Sequence, residues 1–84
     1  MSDKSLPISE RLLMTLHNLC ATVPSMAKKS DELAQILQID RNVVDNLLNK
    51  HESEGYATSF TDNEGHRRYY LTGIGVIKVC TIFT

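Results

Sequence analysis

Apolar residues at Ile8, Leu12, Leu13, Leu16, Leu19, Cys20 and Val23 recur at helical spacing and predict a first helix over 8–23. Pro7 suits its first turn, and Pro24 marks its stop. A second helix opens at Ser30 as N-cap. Asp31 and Glu32 follow in the first turn, where the helix dipole favours acids. Leu33, Ala34, Ile36 and Leu37 form its inner face, and it ends near Gln38 and Ile39. Between the two helices, residues 25–29 are few enough for a single bridging strand. Asp40 caps a third helix that runs to about Glu54, with Gly55 just past its end. Residues 56–60 are β-branched and aromatic and predict a strand; 61–66 carry turn chemistry; 67–71 return as the second strand of a hairpin. Thr72 caps a last segment over 73–84.

Composition narrows the class without changing this picture. At 84 residues the chain, read as 1–84, is one small domain. Its hydrophobic fraction of 42% and charged fraction of 23% are those of an ordinary globular protein, not a disordered tail. Ten acids against nine bases give a net charge of −1, which counts against indiscriminate binding to nucleic acid or membrane. No apolar run approaches the roughly 18 residues of a membrane span. The first residues lack a basic stretch followed by an apolar one, so the expected compartment is the cytoplasm. The two cysteines, Cys20 and Cys80, form no C-x-x-C pair and are expected to be reduced and buried.

The stretch from Leu33 to Val44 carries the main clue. A short helix reaches Gln38, Ile39 fills the joint, and Asp40 starts the next helix at once, which is helix-turn-helix spacing. Leu33, Ile36, Leu37, Ile39, Val44 and Leu48 would form the shared core of that unit. Gln38 stands where such turns often have glycine, so a strained or differently shaped turn is expected.

From these residues the chain resembles the winged helix-turn-helix superfamily. It is most similar to small bacterial and archaeal repressors of the multiple-antibiotic-resistance, arsenic-resistance and PadR types. The resemblance covers residues 8–84. It rests on Leu33-Ala34, on Ile39-Asp40-Arg41 at the turn, and on Val44, Leu48 and Glu54-Gly55-Tyr56 along the third helix and its exit. It continues through Asp62-Asn63-Glu64-Gly65-His66-Arg67-Arg68-Tyr69-Tyr70 and Leu71-Thr72. The resemblance implies an α+β fold: a three-helix core, a two- or three-stranded β-hairpin wing, and a C-terminal dimerisation helix. It implies the third helix in the major groove of DNA and the wing along the backbone or minor groove.

The residues alone point in a similar direction. At about 100° per residue, Val44, Leu47, Leu48 and His51 share one face of the third helix. Asn42, Asn46 and Asn49 share the opposite face, flanked by Arg41 and Lys50. Amides can donate and accept at base edges, and asparagine suits adenine. Arg41 could reach a guanine or a phosphate. A solvated polar face is the bland alternative. Asp45 repels phosphate unless it pairs with Arg41 at i, i+4 or accepts from a cytosine amine. Lys29 before the second helix and Arg67 and Arg68 after the wing turn complete a local basic edge. Strand alternation allows at most one of the two arginines to face DNA, and a charged edge strand is the alternative for both.

Other features have plainer readings. His51 on an apolar face is a neutral core histidine with one hydrogen-bond partner, or a pH switch. His17 and Cys20 at i, i+3 could supply two metal ligands, but two do not make a site, so no metal or other cofactor is expected. Met14 and Met26 are expected to fill the core. No catalytic constellation appears, so an enzyme is not expected.

Three functions remain: a sequence-specific regulator of transcription on double-stranded DNA, as a repressor; a protein–protein module in a larger assembly, which the acidic balance favours; and an RNA-binding or replication-associated winged helix. No effector can be named. The last segment carries Ile74, Val76, Ile77, Val79, Cys80, Ile82 and Phe83 with one charge, Lys78. As a helix it is apolar nearly all round and must be buried on more than one side. A strand is the alternative, given its β-branched content. The expectation is a homodimer joined through Ile74, Ile77, Val79, Ile82 and Phe83.

Overall fold

The computed structural model describes residues 6–83, with side chains through Ile82. Its elements in order are α1 (Ile8–Asn18), a 3-10 turn (Pro24–Met26), β1 (Lys28–Lys29), α2 (Ser30–Leu37), α3 (Arg41–Ser53), β2 (Ala57–Thr61), β3 (Arg67–Leu71) and α4 (Gly73–Phe83). The last segment is therefore a helix, not a strand. The three strands form one antiparallel sheet in the order β1-β3-β2, with Lys29 opposite Arg68 and Phe60 opposite Arg68 on the other side. β3 is thus central, which removes the edge-strand reading of Arg68.

Each helix end has a local cause. α1 stops at Asn18, short of the expected Val23, because Cys20 turns left-handed at φ 60°. The Ala21 N–H then returns to Leu16 O at 2.9 Å and the Cys20 N–H to His17 O at 3.0 Å, closing the helix end. Pro24 opens the 3-10 turn instead of ending the helix. Gln38, at φ 57°, ends α2 in the same way, with the Ile39 N–H on Ala34 O at 3.1 Å. This is the strained turn that a glycine would occupy more cheaply. Gly55, at φ 83°, ends α3.

The N-termini follow the sequence less closely. Asp40 caps α3, its Oδ1 accepting from the Asn42 N–H at 3.3 Å. Ser30 does not cap α2. It is the first helical residue and is buried, the N-cap is Lys29, and Glu32 Oε1 accepts the Lys29 N–H at 3.0 Å. Thr72 caps α4 through its Oγ1, which accepts the Gly75 N–H at 3.0 Å.

The core joins Leu12, Leu13 and Leu16 of α1 to Leu33 and Leu37 of α2, Val44 and Leu48 of α3, Tyr69 and Leu71 of β3, and Val79 of α4. Met14 belongs to it. Several sequence expectations fail on burial. Ile36 is 52% exposed, because the eight residues of α2 present a narrower inner stripe than the apolar count implied. Met26 lies exposed in the 3-10 turn. Cys20 and Cys80 are both exposed, the first on the left-handed corner after α1 and the second on the outer side of α4.

Candidate nucleic-acid interface

The inner face of α3 is fixed by Val44 and Leu48, both fully buried, and by His51. His51 Nε2 lies 2.9 Å from Ser9 O, so its ring ties α3 to the first turn of α1. Burial pushes the imidazole below its ordinary range, the direction that favours a neutral ring. With that side seated, Asn42, Asn46, Asn49 and Lys50 are all exposed. Their amides and ammonium are presented together along one outer stripe.

A groove of about 550 Å³ runs between α3 and the wing. Of the residues singled out from sequence, it brings together Lys29, Arg41, Asn49 and Arg67. Asp31, Asp45, His66 and Tyr69 also line it. Asp31 lies ten positions before Arg41 on a different helix, so no local spacing could have revealed the contact. Arg41 Nε is 3.0 Å from Asp31 Oδ1 and 3.7 Å from Asp45 Oδ2. The second of these is the i, i+4 pair that the sequence offered.

The two wing arginines part company. Arg67 is exposed on the groove side; its Nε donates to Ser59 Oγ at 3.0 Å and its guanidinium lies 5.9 Å from the Tyr69 ring centre. Ser59 Oγ in turn donates to Glu52 Oε2 at 2.6 Å, and Arg67 Nη2 reaches Glu52 Oε1 at 3.5 Å. Arg68 points away and is half-buried. Its Nε donates to Asp62 Oδ2 at 2.6 Å and its Nη1 to Ala27 O at 3.4 Å, with Glu32 at 3.9 Å. Arg68 therefore braces the hairpin against α2 and the 3-10 turn. The Arg68 guanidinium and the N–H groups of His66 and Glu64 hold the Asp62 carboxyl down to about 2. This bracing is present above the ordinary carboxylate range and is lost only as pH falls through about 2.

Among the described residues, one trio has metal-ligand chemistry: Asp62, Glu64 and His66 at the wing tip, with ligand atoms within 4.8 Å of one another. Both Asp62 oxygens are already engaged, Oδ2 by Arg68 and Oδ1 by two backbone N–H groups. His17 and Cys20 join no such group.

On α4, Ile74 and Ile77 are 60% and 64% exposed and follow one another at i, i+3. Val79 is fully buried in the chain's own core. It leaves the expected dimer contact set, because α4 turns this residue toward α1 and β3. Ile82 is half-buried and packs on the core. The side chain of Phe83 lies outside the described residues.

No family model and no curated protein matches this sequence. Solved structures do. MepR, a transcription regulator of the Staphylococcus aureus multidrug efflux pump MepA, superposes at TM-score 0.76 with 20% identity, over 87% of this chain and 51% of MepR. In a MepR–DNA complex the TM-score is 0.72, with 21% identity, over 94% of this chain and 63% of that one. A protein of Ralstonia eutropha to which DNA binding is ascribed matches at 0.78 and 18% identity, over 94% of this chain and 98% of its own. The transcriptional regulator SlyA matches at 0.67 and 19% identity, over 86% and 50%.

The fold is a winged helix-turn-helix. α2 and α3 are its helix-turn-helix pair, and β2 and β3 are the wing, with β1 completing the sheet. This winged helix spans about half the length of MepR.

Proposed function

We propose that this chain binds double-stranded DNA in a sequence-specific way as a small transcriptional regulator. The exposed stripe of Asn42, Asn46 and Asn49 on α3 carries the reading. These amides stand opposite the buried side of the second helix of a helix-turn-helix, beside a groove that holds Lys29, Arg41 and Arg67. A helix so presented fits the major groove, and asparagine can bond both N6 and N7 of adenine. Arg67, not Arg68, is then the wing contact to phosphate or minor groove. DNA occupancy by itself would block a promoter, which makes repression the simplest output. Such a role belongs in the cytoplasm and needs neither catalysis nor a cofactor. No helix among the described residues is long and apolar enough to cross a membrane.

Replacing Asn46 by alanine is expected to lose about 1–3 kcal/mol on the preferred site and to relax one base position. Selection from random duplexes with the purified chain, followed by titration, measures both. Unchanged affinity and preference in alanine variants of Arg41, Asn42, Asn46 and Asn49 would remove α3 as the reader.

The protein–protein reading has its own support. Asp31 and Asp45 flank Arg41, and Glu52 engages Arg67, so this surface mixes both signs. Salt-dependent binding to duplex DNA decides between the two, because phosphate contacts release counterions and protein docking does not release them in that way.

The regulator works, in this proposal, as a homodimer. Ile74, Ile77 and Cys80 leave one side of α4 apolar and uncovered, and a two-fold pairing is the commonest way to cover such a face. It would set two α3 helices about one DNA turn apart. Sedimentation equilibrium at micromolar concentration should give a dimer, with Ile77→Asp folded and monomeric. A wild-type monomer would defeat the dimer.

A further inference from the structure

Arg41 is the first residue of α3, where the helix dipole disfavours a cation. Asp31 and Asp45 offset this from two sides, at 3.0 and 3.7 Å. In both pairs the nearest guanidinium atom is Nε. Both contacts are surface ion pairs, with the Arg41 side chain 62% exposed. The guanidinium is therefore drawn toward Asp31 and Asp45 on one side of the groove that all three line. An unrestrained arginine loses considerable rotamer freedom on binding, and a restrained one loses less. The two carboxylates also make the spot hostile to a phosphate, yet not to the neutral acceptor pair O6 and N7 of guanine. A planar fork matches that pair.

We propose that Asp31, assisted by Asp45, is a positioning residue that holds Arg41 as the reader of one guanine in the major groove, not as a phosphate contact. This rests on the DNA-binding reading above and adds the base that Arg41 recognises. Asp31 then lowers affinity for DNA in general and raises discrimination at one position.

The test uses the full chain on three duplexes at one salt concentration: the selected site, that site with the guanine pair changed to adenine, and a random sequence. Wild type should prefer guanine by about ten-fold. Arg41→Ala should abolish the preference. Asp31→Asn should reduce it to about three-fold or less while binding the random duplex as well as wild type or better. Asp31→Glu should restore it. A uniform gain on all three duplexes with Asp31→Asn would overturn the proposal, because Asp31 would then be a repelling surface charge alone. A guanine preference that survives Arg41→Ala would also overturn it. Either result leaves the DNA-binding reading standing. Failure to bind any duplex would retire that reading, and this inference with it.

Discussion

Gly75→Ala is expected to cost about 3 kcal/mol or more, a large share of the stability of a domain this small. The first turn of α4 lies directly on the backbone that leaves α3. A Cβ at Gly75 would overlap the Tyr56 carbonyl oxygen and would come within 2.9 Å of the Tyr56 carbonyl carbon and 3.1 Å of Leu71 Cδ2. The obstacle is main chain, so no side-chain rotation relieves it. The Tyr56 carbonyl is also held in place, since it accepts the Thr72 N–H at 3.0 Å. Thr72 Oγ1 meanwhile donates to Gly55 O at 2.6 Å and accepts from Gly75 N at 3.0 Å, which locks the junction from the other side. Urea unfolding followed by circular dichroism measures the loss. Gly73→Ala is the matched control: a Cβ there meets nothing within 4 Å, and its effect should stay within about 1 kcal/mol. A Gly75→Ala protein as stable as the control would mean that α4 does not approach Tyr56 so closely.

Leu48→Ala should cost about 2–5 kcal/mol. Leu48 is fully buried at the centre of the inner face of α3, between Val44 and His51. Its removal deletes transfer free energy and leaves a cavity that the surrounding helices fill only in part. The functional consequence follows from geometry: the same helix carries the asparagine stripe, so loosening its seat tilts every amide at once. A lower urea midpoint with an unchanged slope would show a loss of stability in an otherwise intact fold. A cost under about 1 kcal/mol would contradict the seating of α3 described here.

The pattern of apolar residues determined much of this molecule without further help. The period near 3.6 placed α2 and α3 within a residue or two, and it assigned Val44, Leu48 and His51 to one side of α3 and the three asparagines to the other. Local chemistry determined the cap at Asp40, the left-handed Gly55 and the hairpin turn, since each depends on a few neighbouring atoms. The resemblance to winged helices rested on that order of elements, and the superposition on solved structures agrees with it.

Tertiary structure decided what periodicity cannot carry. It seated the left-handed end of α1 at Cys20 by burying Ala21, whose carbonyl accepts the Leu71 N–H at 2.7 Å, and nothing in the local apolar pattern marks that contact. It exposed Ile36 and both cysteines, because burial depends on which neighbours arrive, not on hydrophobicity alone. It sent Val79 inward and left Ile74 and Ile77 outside, a division that an all-round apolar helix leaves open. It put Arg67 and not Arg68 on the groove, a choice that strand alternation left open, and it brought Asp31 to Arg41 across two helices. Ion pairs of that kind join residues distant in sequence. The chain by itself determines which faces exist; only the packing of one element on another determines which faces meet.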